Sequence, residues 1–144
     1  MKDHRLNRFI RQGGIVAYPT ESCFGIGCDP RNRKAINKII KLKKRSLNKN
    51  FILIGSSIKQ FNYFLNPLNN STSKNLFSKW PGPHTWLIKA NNRCPSWLKS
   101  NSKIALRISS FSTCQTLTKS LDMAITSSSL NSSGKVPLKS YRDV

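Results

Sequence analysis

A chain of 144 residues with 38% hydrophobic content can build one domain around one core, and no second domain is expected within residues 1–144. Its 25 Lys and Arg against 5 Asp and Glu leave a formal net charge of +20, a field that attracts polyanions such as RNA or nucleotide phosphates. The scarcity of carboxylates argues against the paired-carboxylate chemistry of glycosidases and aspartic proteases.

In chain order, a helix is expected near residues 4–12, closed by Gly13-Gly14, followed by a buried strand at 15–18. Pro19 removes a backbone donor and ends that strand's ladder, and Thr20 and Glu21 then stand at a strand's C-terminal end, where open α/β sheets place their sites. The stretch through Asp29 reads as a loop in which Gly25 and Gly27 let the backbone approach a ligand or take positive φ. An ordinary strand-to-turn junction fits the same residues. A helix is predicted over about 31–43 from the spacing of Ile36, Ile39, Ile40 and Leu42, with Asp29 as N-cap and Pro30 at its first position. Lys43 and Arg45 at its end read either as solvated cations complementing the helix dipole or as a cationic pair beside a site.

A second buried strand follows at Phe51–Ile54, and Ile58, Phe61 and Leu65 mark a helix. Residues 66–71 form a polar loop, and a short helix over 73–79 leads into Trp80-Pro81-Gly82-Pro83-His84. Thr85–Ala90 reads as a strand. Lys103–Ile108 alternates with period two, so Arg107 shares a face with Lys103 and Ala105. A helix near 112–121, a strand over 123–127 and a Ser-rich loop complete the chain. Strands interleaved with helices predict an α/β (mixed α+β) fold, a mixed sheet with helices packed on it.

Residue supply limits the chemistry. His4 near the terminus and His84 in a Pro-Gly-Pro turn give a serine triad no convincing parts. Cys23, Cys28, Cys94 and Cys114 are irregularly spaced without nearby His, which predicts reduced structural thiols and no metal site. What the chain supplies is cations, hydroxyls and glycines, suited to holding phosphate. No apolar run approaches bilayer length and the N-terminus leads into no apolar segment, so a cytoplasmic protein with no membrane partner is expected. Abundant Asn and Ile, whose codons like those of Lys are rich in A and T, offer a second origin of the charge besides RNA contact.

Four ordered elements carry a resemblance: Tyr18-Pro19-Thr20-Glu21, Lys43 and Arg45 as Lys-x-Arg, Pro81-Gly82-Pro83-His84-Thr85 with Arg107 beyond it, and Ser129 and Asn131 as Ser-x-Asn. With these motifs the chain resembles the YrdC-like threonylcarbamoyl-AMP synthase family over nearly its whole length. The resemblance implies the family's twisted mixed sheet and a reaction joining L-threonine, bicarbonate or carbon dioxide, and ATP into threonylcarbamoyl-adenylate with release of diphosphate. It implies that Thr20, Thr85 and Arg107 orient threonine and its carboxylate, that Lys43 and Arg45 neutralise ATP phosphates as the catalytic cations, and that Ser129 and Asn131 complete the nucleotide site. ATP is then a substrate, with Mg2+ carried by the nucleotide. Downstream tRNA threonylcarbamoyl-transferase proteins receive the product for the adenosine beside the anticodon. Family members usually continue well past the Ser-x-Asn loop, so the C-terminal part of the family domain is expected to be missing. The alternative readings are a non-catalytic basic RNA-binding module, or an inactive shortened family member.

Overall fold

The computed structural model describes residues 2–44, 46, 50–132, 134–140 and 142. Four helices are present among them: α1 (His4–Arg11), α2 (Arg33–Lys43), α3 (Asn70–Phe77) and α4 (Ser112–Leu121). The strands are β1 (Ile15–Pro19), β2 (Phe24–Cys28), β3 (Ile52–Gly55), β4 (Trp86–Lys89), β5 (Lys103–Ile108) and β6 (Ile125–Ser129). They form one six-stranded sheet in the order β1-β2-β6-β3-β5-β4, with β3 and β5 parallel and every other neighbouring pair antiparallel. The mixed sheet expected from the interleaving of elements is therefore present.

Apolar residues divide between the two faces. On the larger side, Ala35, Ile36 and Ile39 of α2, with Phe61, Leu76 and Trp80, cover Ile26, Leu53, Ile104 and Leu106. On the other, Ile10 of α1 and Cys114 and Leu121 of α4 cover Tyr18, Ile54 and Ile125. Period two along β5 decides which side each residue serves: Ile104, Leu106 and Ile108 are buried, while Lys103, Ala105 and Arg107 point to the face that carries α4.

The stretch predicted as a glycine-rich loop is the strand β2, all five of whose residues are buried. Gly25 and Gly27 hide the period-two pattern that would have marked it. Neither takes positive φ; their role is close approach. A Cβ on Gly27 would stand 2.2 Å from the Thr126 carbonyl oxygen, and one on Gly25 would stand 3.1 Å from the Tyr18 ring. Beyond this contact the Cys28 amide donates to the Thr126 hydroxyl at 3.0 Å.

The start of α2 also differs from expectation. Asn32 is its N-cap, accepting from the Ala35 amide at 3.1 Å. Asp29 is occupied instead by Arg31, whose amide and guanidinium both donate to it, at 3.0 and 3.1 Å. Leu42, assigned to the buried face, is 56% exposed. The helix predicted through Leu65 is a single 3-10 turn over Ile58–Phe61, and Leu65 bridges to Ala90. The buried Asn91 replaces the missing helical bonds, its side-chain amide donating to the Tyr63 and Leu65 carbonyls at 3.1 and 3.0 Å. Helix α3 starts at Asn70, earlier than expected, because Asn69 caps it by accepting from the Thr72 amide at 2.7 Å.

Gly27→Ala is expected to destabilise the fold by about 1–3 kcal/mol, since the intruding methyl group meets backbone that must shift. A urea titration followed by circular dichroism measures this directly.

Candidate active site

Strand β1 ends at Pro19, paired with Phe24, and the turn between them, Thr20–Cys23, overhangs a cavity of about 190 Å³. Ile52 and Ile54 of β3, Arg107 of β5 and Ser127–Ser129 of β6 supply other parts of the wall. Residue Ile54 pairs with Arg107 across the parallel ladder, so the two share one face and Arg107 reaches over an apolar floor. A volume of this size lies below the roughly 300–1,000 Å³ that encloses a whole drug-sized ligand, and it suits a fragment the size of an amino acid. A larger ligand would extend through the mouth.

Two fixed turns meet at Arg107, one lining the cavity and one docked beside it. The Thr20 hydroxyl donates to the Cys23 carbonyl at 2.6 Å, and the Thr20 amide donates to the same oxygen at 2.9 Å. On the far side the Trp80 indole donates to the His84 carbonyl at 2.8 Å, closing the Pro-Gly-Pro turn, while the Gly82 amide donates to the Ile108 carbonyl at 2.9 Å. That second bond docks the turn on the end of β5. It brings the Gly82 carbonyl to Arg107, whose Nε donates to it at 3.3 Å.

The guanidinium of Arg107 is ion-paired through Nη2 with the carboxylate of Glu21. The two side chains are 23% and 38% exposed, so the pair sits at the mouth and not in the core. Among the described residues Glu21 is the one carboxylate lining the cavity. Arginine's planar fork is matched to carboxylates, so what Glu21 occupies is a ready-made carboxylate subsite.

Lys43 departs from the reading as a solvated helix end. It is only 3% exposed at the end of α2, and its ammonium donates to the Ser129 carbonyl, to the Asn131 carbonyl at 2.7 Å and to Asn131 Oδ1 at 3.4 Å. Burial of this cation is tolerated because three oxygens receive its three donors. The Ser129 hydroxyl donates to Asn131 Oδ1 at 2.6 Å, and the Asn131 amide donates to the Ser132 and Lys135 carbonyls, both at 2.8 Å. Lys43, Ser129 and Asn131 are therefore one connected unit, joined to the cavity through Ser129.

The structure thus brings Thr20, Arg107 and Ser129 to one cavity, with Lys43 and Asn131 behind Ser129. Thr85 is exposed before β4 and is not part of the cavity wall. Arg45 lies outside the described residues. Glu21 as partner of Arg107, together with Ile52, Ile54 and Ser127, went unassigned in the sequence. Parity along β3 and β5 was the signal that could have placed the isoleucines. The Tyr18 hydroxyl donates to Ser127 Oγ at 2.7 Å, and burial pushes the phenol well above its ordinary range, so it remains a neutral donor.

Among the described residues no group of three or more His, Cys, Asp or Glu could hold a metal ion, and no helix is long and apolar enough to cross a membrane. All four cysteines are free thiols. Burial pushes the Cys28 thiol up to about 12 and that of Cys94 to about 11, and it raises Cys114 as well. Cys23, on the cavity turn, is half-buried.

Comparison with known proteins places these features in a wider set. The Sua5/yciO/yrdC family model, described as telomere recombination, matches residues 8–144. A threonylcarbamoyl-AMP synthase of Methylobacillus flagellatus is 38% identical over 144 residues, covering 99% of this chain and 80% of that protein. One of Nitrosococcus oceani is 42% identical over 138 residues, covering 95% of this chain and 75% of its own. Among solved structures, the crystal structure of P. abyssi Sua5 complexed with L-threonine superposes with a TM-score of 0.84 at 24% identity, covering 96% of this chain and 41% of that one, a likeness of fold.

Replacing Lys43 by Met is expected to cost about 1–3 kcal/mol, because the Ser129 and Asn131 carbonyls lose a buried donor. Hydrogen exchange at residues 129–135 should quicken in step. A thiol-reactive dye at pH 8 should modify Cys23 first, with Cys28, Cys94 and Cys114 reacting only on unfolding, since thiols raised above their ordinary value of 9.0 hold little thiolate there.

Proposed function

We infer, for a chain that belongs to the Sua5/YciO/YrdC family, that it makes threonylcarbamoyl-AMP from L-threonine, bicarbonate or carbon dioxide, and ATP, for the threonylcarbamoyladenosine modification of tRNA. The observation that carries this reading is Arg107, a guanidinium already gripping a carboxylate at the mouth of a cavity sized for an amino acid. In its finer form the reaction is a nucleotidyl transfer. Such a transfer asks the protein for positioning and charge stabilisation more than for covalent chemistry, which matches a site rich in cations and hydroxyls.

Threonine enters with its carboxylate replacing that of Glu21 on Arg107. Ile52 and Ile54 give its methyl group an apolar floor, and the Thr20 turn limits how deep it sits. The amine, held clear of the guanidinium, takes up carbon dioxide to become a carbamate. A carbamate oxygen attacks the α-phosphorus of ATP, and diphosphate leaves. No covalent intermediate with the protein forms.

ATP lies along the strand end toward Ser129 and Asn131. The unit built on Lys43 holds that loop in register, and Lys43 and Arg45 add positive charge where the phosphates gather. Among the described residues the cavity offers one carboxylate, and it is engaged by Arg107, so these donors suit a Mg2+ arriving on the phosphates better than a resident metal. The adenylate passes to tRNA threonylcarbamoyl-transferase proteins, which places the activity in the cytoplasm.

Diphosphate release from ATP, measured together with mass spectrometry of the adenylate, tests this directly: release should require both threonine and bicarbonate. Arg107→Ala should raise the threonine KM at least tenfold, about 1.4 kcal/mol. Arg45→Ala or Lys43→Ala should lower the rate by at least the same factor. Release that ignores threonine, or unchanged kinetics in the Arg107 variant, would overturn the assignment.

A further inference from the structure

Among the described residues Arg107 is the one cation lining the cavity and Glu21 the one carboxylate, and each already neutralises the other. The two halves of this pair are held differently. Arg107 is anchored by its place on β5 and by the Nε bond to the Gly82 carbonyl at 3.3 Å. Glu21 is an exposed residue of the Thr20–Cys23 turn, whose hydrogen bonds run between Thr20, Ser22 and Cys23 and use none of its side-chain atoms. When the pair opens, the Glu21 carboxylate is the half that swings away.

An ion pair open to water on one side separates easily, because solvent screens both charges. A ligand that fills the cavity displaces that solvent, and a charge then left alone becomes costly. The pair therefore sorts ligands by the charges they bring. A simple carboxylate, or bicarbonate, can take Arg107 only by stranding Glu21, which has no other ion-pair partner among the described residues. An amine without a carboxylate has only Glu21 to meet, and it strands Arg107. A zwitterion leaves neither alone, because one pair becomes two.

The arrangement suits an α-amino acid in particular. Its ammonium and carboxylate stand on one carbon, so a ligand seated on Arg107 keeps its ammonium next to the place that Glu21 has just left. Glu21 stays nearby after release because the turn that carries it is fixed. Ile52 and Ile54 on the cavity floor offer the ammonium nothing, and Ser127 to Ser129 offer hydroxyls without charge. Arg107 by itself recognises any small carboxylate, so discrimination has to come from a group that penalises the wrong ligand.

Resting on the reading of this cavity as the threonine site, we propose that Glu21 is its specificity-determining residue: the threonine carboxylate displaces Glu21 from Arg107, and the freed Glu21 carboxylate accepts the threonine ammonium. Until a zwitterion arrives, the same side chain keeps Arg107 occupied against simple anions.

The test is isothermal titration calorimetry of the whole chain with L-threonine and with (R)-3-hydroxybutyrate, which is threonine without its ammonium. Wild type should bind threonine more tightly by about a hundredfold, the scale set by a charged group left without its partner. Glu21→Gln should narrow that ratio by about tenfold or more, since the amide neither competes for the guanidinium as an ion nor rewards the ammonium. Glu21→Asp, which keeps the charge, should hold the ratio within about threefold of wild type. Glu21 is exposed, so both variants should unfold near the wild-type temperature, a check made by circular dichroism. A wild type that binds the two ligands alike, or a ratio unmoved in Glu21→Gln, would overturn the proposal and leave the threonine reading of the cavity standing. A wild type that binds neither ligand would overturn both.

Discussion

Strand β6 is the constraint on which the rest of this molecule hangs. It pairs with β2 on one side and β3 on the other, so the hairpin of β1 and β2 joins the β3-β5-β4 block of the sheet through this strand. Its two neighbours come from residues 24–28 and 52–55, far earlier in the chain, and on the β2 side Gly27 lets the Thr126 carbonyl close in. Everything of functional interest is referenced to this junction. Ser127 to Ser129 wall the cavity from β6 itself, the Thr20 turn belongs to the hairpin, and Arg107 belongs to the block beyond β3. The Lys43 ammonium then pins the loop that follows β6 to the end of α2.

Much of this was legible in the sequence, and the exceptions have physical causes. Strand β5 was found at its true bounds because its alternation is uninterrupted, and that alternation placed Arg107 on the correct face. Strand β2 was missed because Phe24-Gly25-Ile26-Gly27-Cys28 buries every residue: a strand covered on both faces shows no alternation, and its glycines imitate a loop. The cap of α2 went to Asn32 because Asp29, an equally good cap by type, had an arginine two positions away. Local propensity ranks candidates but does not know which partner is already taken.

The site was legible as a set of residue types and not as a geometry. Thr20, Arg107 and Ser129 were named from motifs, and they do meet at one cavity. That Arg107 is held by Glu21 could not be read from positions 86 apart in the chain, because it depends on β2 and β6 bringing the hairpin turn over β5. Lys43 was the harder case. A lysine at a helix end is ordinarily wet, and its burial here follows from carbonyls supplied by a loop far along the chain.

The central place of β6 also orders events during synthesis. Translation delivers the hairpin and the β3-β5-β4 block first, and the strand that belongs between them emerges after both. Until then β2 and β3 each present an unpaired edge, the kind of template on which nascent chains cross-pair. A chain carrying +20 meets its own copies as a like-charged colloid, and that self-repulsion keeps two half-made sheets on neighbouring chains apart while each waits for its own β6.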